Sequence, residues 1–265
     1  MRREINGTTL GYDLTGSGEA VLFLHAFPLH RAMWEGQVAA LRGRARTLTV
    51  DFRGFGESDV PPGPYRLEQF ADDALGLAEA LGIRRATVVG LSLGGYVAFR
   101  LVERAPEFAR ALVLADTRAE PDPPEAKTRR YALAERVERE GMAAMADFVA
   151  ALLGPTSKAE RPEVAARIPR IIGAPDPRAV AETLRALGER PDSRSVLSRI
   201  TVPTLVLVGE EDTLTPPDGA RVIAGGVPGA RLEILPRSGH LSNLEAAEAF
   251  NRELVTFLEG LPAGG

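Results

Sequence analysis

A chain of 265 residues, 45% hydrophobic and 26% charged, is long enough for a large buried core and one or two domains. Its net charge of −4 gives no basic footprint for nucleic acid, and no apolar run reaches membrane-spanning length, so neither partner is expected. The lack of cysteine excludes disulfides and thiolate metal sites, and His25, His30 and His240 lie at no zinc-like spacing, so no metal or other cofactor is expected.

Met1-Arg2-Arg3-Glu4 leads straight into strand-like sequence without an apolar leader, which predicts a cytoplasmic chain. Thr9 to Leu14 alternates, with Leu10, Tyr12 and Leu14 on one face, as in an edge strand with one wet side. Gly16-Ser17-Gly18 is a turn; no helix follows and the third glycine of a dinucleotide fingerprint is missing. Val21 to Leu24 is a continuous apolar run, as expected of a strand covered on both faces. It ends in His25-Ala26-Phe27-Pro28-Leu29-His30. Met33 to Leu41 reads as a helix and Thr47 to Val50 as the next strand. Asp51 to Asp59 is rich in turn formers and reads as a structural loop. Beyond Pro61-Pro62-Gly63-Pro64, residues Phe70, Ala74, Leu77, Ala78 and Leu81 share one helical face, and Gly82 ends that helix.

Thr87 to Val89 reads as a short buried strand, and Leu93 to Ala105 as a helix stopped by Pro106. Between them lies Gly90-x-Ser92-x-Gly94. Such a pattern holds a serine on a strand-to-helix turn so tight that its neighbours must be small, and Gly90, Gly94 and Gly95 are. Ser92 then projects above the free N–H groups of a helix N-terminus, where negative charge is favoured. The competing reading is a glycine turn whose serine caps the helix; the strand–turn–helix context favours a nucleophile. Ala111 to Ala115 is the next strand. Strands alternating with helices imply a parallel sheet with helices on both faces.

From about Arg118 to Arg199 the rhythm changes, with no convincing strand. Glu125–Arg139, Glu163–Ile172 and Arg178–Gly188 are helical candidates, and Met142, Met145, Val149 and Leu152 suit one helical face. Residues 118–199 therefore read as a helical insertion, a cap, between core segments 1–117 and 200–265. The alternation returns with the strand Leu205–Val208, the helix from Pro217 to Ala224, and Arg231–Leu235, which alternates like an edge strand. Phe250, Leu254, Phe257 and Leu258 stripe a final helix, and Pro262-Ala263-Gly264-Gly265 reads as frayed.

Functional residues of such a sheet lie beyond the carboxyl ends of its strands. Four segments qualify: His25–Phe27, Ser92, Asp212 and His240. A serine hydroxyl needs a base to remove its proton, an imidazole suits that task, and a carboxylate fixes the imidazole tautomer. Asp212 is the favoured acid on loop position, with Glu210, Glu211, Asp218 and Asp116 as competitors. The oxyanion hole falls to the N–H of Leu93 and that of Phe27, since Pro28 has none. His25 reads as a structural pin of its loop. His30 packs, and Trp34 either packs or lines the pocket.

On these residues the chain resembles the α/β-hydrolase superfamily over nearly its full length. The matching segments are His25-Ala26-Phe27-Pro28, Asp51-x-Arg53-Gly54-x-Gly56-x-Ser58, Gly90-Leu91-Ser92-Leu93-Gly94-Gly95, Gly209-x-x-Asp212-x-x-x-Pro216 and Gly239-His240. Ala26 stands where relatives usually carry glycine. The resemblance implies an α/β fold, a mostly parallel central sheet flanked by helices, with a helical cap after the sixth strand. Within the superfamily the chain looks like carboxylesterases and 3-oxoadipate enol-lactonases, the latter through His30-Arg31-Ala32-Met33-Trp34.

The expected activity is hydrolysis of carboxylic esters through an acyl-enzyme on Ser92, with a small-molecule ester or lactone as the partner. Lactone hydrolysis uses the same residues, and cofactor-free haloperoxidases and perhydrolases share triad and fold. Dehalogenase and epoxide hydrolase chemistry needs an aspartate nucleophile, which Ser92 replaces. Met142, Met145, Phe148, Val149 and Leu152 are expected to form an apolar lid favouring short-to-medium neutral acyl esters. An anionic lactone would require a pocket cation such as Arg129, Arg130 or Arg136.

Overall fold

The computed structural model describes residues 1–262; residues 263–265 of the run read as frayed lie outside the described residues. Eight strands form one sheet: β1 (Arg2–Ile5), β2 (Thr8–Thr15), β3 (Ala20–Leu24), β4 (Arg46–Val50), β5 (Ala86–Leu91), β6 (Ala109–Ala115), β7 (Thr204–Gly209) and β8 (Arg231–Leu235). Their order is β1-β2-β4-β3-β5-β6-β7-β8. The β1/β2 and β2/β4 pairs are antiparallel, and every pair from β4/β3 to β7/β8 is parallel. The Thr9–Leu14 strand is not the edge. Asn6 and Gly7, at φ 50° and 73°, turn the chain back so that β1 takes that position. An Asn-Gly pair adopts these positive φ values at little cost and so favours a two-residue hairpin.

The continuous apolar strands are explained by burial on both faces. Leu22, Leu24, Val88, Leu112, Leu114, Val206 and Val208 enter one core. Their sequence neighbours Val21, Phe23, Val89, Val113, Leu205 and Leu207 enter the other. The first core is closed by α2 (Leu67–Ala80) and α3 (Leu93–Arg104), the second by α1 (Glu35–Ala40) and the final helix Ala247–Glu259. Trp34 belongs to this second core. Its ring lies 5.0 Å from that of Phe23 and 6.3 Å from that of Phe250.

Between β6 and β7 the described elements are all helical: α4 (Pro124–Glu140), α5 (Ala146–Ala151), α6 (Pro155–Glu160), α7 (Pro162–Ile172), α8 (Pro177–Gly188) and α9 (Arg194–Leu197). Pro124, Pro155, Pro162 and Pro177 open their helices, where the missing N–H costs nothing and the fixed φ suits the first turn. Ala134, Val137, Leu184 and Leu187 of α4 and α8 join the core that holds Phe99 and Leu101 of α3. The insertion therefore packs onto the sheet's body.

β3 lies between β4 and β5, so the chain leaves β3 to one side and returns to β5 on the other. Such a switch point opens a crevice at the carboxyl ends of the two strands. The loop after β3 and the turn after β5 meet there.

Candidate active site

Ser92 occupies the turn between β5 and α3 at φ 54° and ψ −111°. That geometry is sparsely populated for a residue with a side chain and persists only where its surroundings impose it. They do: Ser92 N–H donates to Ala115 O at 2.9 Å, and its carbonyl accepts from Gly95 N–H at 2.9 Å and Thr117 Oγ at 3.0 Å. A Cβ on Gly94 would collide with the Leu24 carbonyl, and one on Gly90 with the Gly94 carbonyl. Small residues are thus needed for α3 to approach β3 and β5.

His240 follows β8 and is buried. Its Nδ1 lies 2.8 Å from Asp212 Oδ2, so this nitrogen carries the proton it donates. Asp212, after β7, also accepts from the N–H groups of Leu214 (2.8 Å) and Thr215 (2.9 Å) and from Thr215 Oγ (2.6 Å). Burial pushes the Asp212 carboxyl up, but its interaction with His240 and these donors outweigh it and hold the group below the usual range. The competing acids have other partners. Glu210 accepts from Arg237 N–H, Glu211 from Thr156 N–H, and Asp218 from Arg221. Asp116 accepts from Gly209 N–H at 2.8 Å and lies against Ser242.

The loop after β3 is held by His25. Its Nδ1–H faces Ala26 O at 2.9 Å, and its Nε2 accepts from Phe52 N–H at 2.9 Å. Burial lowers the imidazole pKa to about 3, so the ring is neutral. Arg53 of the Asp51–Asp59 loop makes a two-pronged buried pair with Asp73, at 2.7 and 2.8 Å. Among the described residues neither Phe27 N–H nor Leu93 N–H has a hydrogen-bond partner.

Ser92 and His240 share the walls of one cavity of about 50 Å³ with Phe27, Tyr96, Arg130, Phe148, Leu187, Leu214 and Thr215. His240's hydrogen-bond partners are Asp212 and Thr215; the Ser92 hydroxyl faces the same space without bonding to it. Ser92, Asp212, His240, Phe27, Leu93 and Phe148 are thus brought together. Trp34 is not, because its indole fills the core on the sheet's other side. Met142, Met145 and Val149 are not cavity residues either. A 3-10 turn over Gly141–Met145 precedes the short α5, so the segment is not one continuous helix face. Met145 is fully buried in the core, and only the Phe148 ring, 5.6 Å from that of Phe27, reaches the cavity.

The lid also carries a cation. Arg130 reaches the cavity from α4 and pairs with Asp122. Asp122 is shared with Arg118 and Arg190, and the Arg190 guanidinium sits 4.6 Å over the ring of Tyr96. Burial pushes Asp122 up, but Arg190 and Arg130 outweigh it and hold the carboxyl at about 2. Glu120 also acts on Arg190, and of the three arginines Arg130 is the one that lines the cavity. Tyr96 and Thr215 carried sequence signals of their own: Tyr96 stands four residues beyond Ser92 on one helix face, and Thr215 follows an aspartate at turn spacing. Among the described residues no cluster of three or more His, Asp or Glu is arranged to hold a metal. No helix among them is long and apolar enough to cross a membrane.

An eight-stranded, mostly parallel sheet, a serine on a strained strand-to-helix turn and a histidine–aspartate pair on later strand ends define an α/β hydrolase. Residues 19–247 match the family described as alpha/beta hydrolase fold, and the chain belongs to it. It is similar to 3-oxoadipate enol-lactonase 2 of Acinetobacter baylyi, with 29% identity covering 94% of this chain and 93% of the relative. Among solved structures it resembles a malate-bound thermophilic esterase from Thermogutta terrifontis, 38% identical with a TM-score of 0.94, covering 98% of this chain and 99% of that one. It also resembles the enol-lactonase of Burkholderia xenovorans LB400, 34% identical with a TM-score of 0.90, covering 98% and 100%.

Proposed function

We propose that this chain hydrolyses carboxylic esters through an acyl-enzyme on Ser92. The observation that carries the reading is the strained Ser92 turn opening on the same small cavity as a histidine hydrogen-bonded to Asp212. With Nδ1 donating to Asp212, His240 Nε2 is free to take the Ser92 proton as Oγ attacks the acyl carbon. The carbonyl oxygen becomes an oxyanion beside the N–H groups of Leu93 and Phe27. His240 then gives the proton to the departing alcohol oxygen as the acyl–oxygen bond breaks. Water, deprotonated by His240, attacks the acyl-enzyme and releases the acid, returning the proton to Ser92. A cavity of about 50 Å³ is far below the roughly 300–1,000 Å³ of ordinary ligand pockets, so short acyl groups fit best and longer ones need the cap to move.

Arg130 supports a second reading, a lactone or half-ester bearing a free carboxylate. Of the cations an anionic lactone was expected to need, Arg130 lines the cavity and Arg129 and Arg136 do not. The enol-lactonases among the relatives and the malate, a dicarboxylate, in the esterase neighbour point the same way.

An organophosphorus ester tests the common mechanism. Stoichiometric label should appear on Ser92, and Ser92→Ala should abolish labelling and esterase activity. Asp212→Asn should lower kcat by about 10⁴. Label on another serine, or an active Ser92→Ala, would overturn the assignment. Peracid formation from acetate and peroxide exceeding ester hydrolysis would favour a perhydrolase instead.

A further inference from the structure

Asp116 is a fully buried carboxyl that the hydrolytic cycle above does not use. It follows β6 at φ 44°, a left-handed conformation uncommon for a residue with a side chain. Its two oxygens reach the two turns on which the mechanism depends. Oδ1 accepts from Gly209 N–H at 2.8 Å, and Gly209 begins the turn that leads to Asp212. Oδ2 lies against Ser242 Oγ, two residues beyond His240. The turns also meet directly, since a Cβ on Gly209 would strike the carbonyls of Ser238 and Gly239.

We propose that Asp116 is a positioning residue that braces the Asp212 turn against the His240 turn and so sets the register of that pair. The proposal rests on the ester-hydrolase reading. The carboxylates of Asp212 and Glu245 face Asp116, and no cation pairs with it among the described residues. Burial, reinforced by Asp212, pushes its pKa well above the usual range. Burial and Asp212 thus favour the uncharged form of Asp116, which adds no second negative charge beside Asp212. An asparagine there can rebuild both hydrogen bonds, with its oxygen toward Gly209 and its amide toward Ser242.

The test measures kcat and KM on a p-nitrophenyl butyrate substrate, together with thermal midpoints, for Asp116→Ala, Asp116→Asn and Ser242→Ala. Ser92→Ala and Asp212→Asn run in the same panel. Loss of the brace should lower kcat by about tenfold to a hundredfold with KM nearly unchanged, as small misplacements of reacting groups do. Asp116→Asn should recover most of the kcat that Asp116→Ala loses. If Asp116→Ala does not fold, Ser242→Ala removes the other end of the brace without emptying the Asp116 site. Folded variants of both residues with wild-type kcat would reduce the brace to a stability role and overturn the proposal. So would an Asp116→Asn as inactive as Asp212→Asn, because Asp116 would then act through its charge. Failure of the parent reading shows separately, as an active Ser92→Ala or Asp212→Asn.

Discussion

Acidification should weaken the fold through one buried ring. His25 is fully buried, sits with its ring 4.5 Å from that of Phe52, and uses both nitrogens in hydrogen bonds. A second proton would have to go on Nε2, which already accepts from Phe52 N–H. Burial lowers its pKa from 6.5 to about 3. Between those values the unfolded chain binds a proton that the native chain refuses. The stability His25 contributes is therefore complete above pH 6.5 and falls as the pH drops through 6.5 toward 3. At about pH 5 the unfolded value lies about 1.5 units above the solution, a loss of about 2 kcal/mol at 1.36 kcal/mol per unit. Urea unfolding at about pH 7.5 and about pH 5 measures it, with His25→Gln as the reference. Glutamine does not titrate, so subtracting the two proteins cancels the carboxylates that also change with pH. The wild type should lose about 2 kcal/mol more than the variant. Parallel losses would mean that His25 takes up its proton in the native state and that its site is not closed to charge.

Replacing Arg130 by Met should lower kcat/KM for a half-ester of a dicarboxylic acid by about tenfold to a hundredfold, the range for a charge-assisted hydrogen bond, and leave a neutral butyrate ester nearly unchanged. The ratio of the two substrates is the readout, and equal losses would remove Arg130 from substrate recognition. Gly94→Ala should destabilise by at least about 1–3 kcal/mol, because the added carbon meets the Leu24 backbone, which cannot swing away as a flexible side chain can. The urea midpoint checks it; an unchanged midpoint would show that α3 can move off β3.

The sheet was legible because its signals are local. Continuous apolar runs such as Val21–Leu24 require two covered faces, and the two cores divide those residues alternately. The Asn6-Gly7 hairpin is an equally local signal, and it places β1 at the edge instead of β2. The lid wall was harder. Which cap side chain faces Ser92 depends on how α4, α5 and α8 rotate against the sheet, and sequence periodicity fixes a face without saying what it meets. The stripe from Met142 to Leu152 assumed one helix, but the 3-10 turn advances the chain by about 120° per residue instead of about 100°. Phe148 then faces the cavity while Met145 goes into the core.

Asp116 and Asp212 mark the limit of positional argument. Each follows a central strand, the strands are neighbours, and both carboxyls are buried beside one another. Loop position in the sequence favours Asp212 and leaves Asp116 as a competitor. Electrostatics separates them, because two close carboxyls in a dry site do not both ionise readily. Asp212 has His240, two backbone N–H groups and the Thr215 hydroxyl to stabilise a negative charge. Asp116 has one N–H and one hydroxyl, and no cation among the described residues. These surroundings favour negative charge on Asp212 over Asp116, as the proposed bracing role of Asp116 requires. The distinction lies in donor counts that only the folded chain assembles, since Gly209 and Thr215 flank the Asp212 loop while Ser242 lies beyond His240.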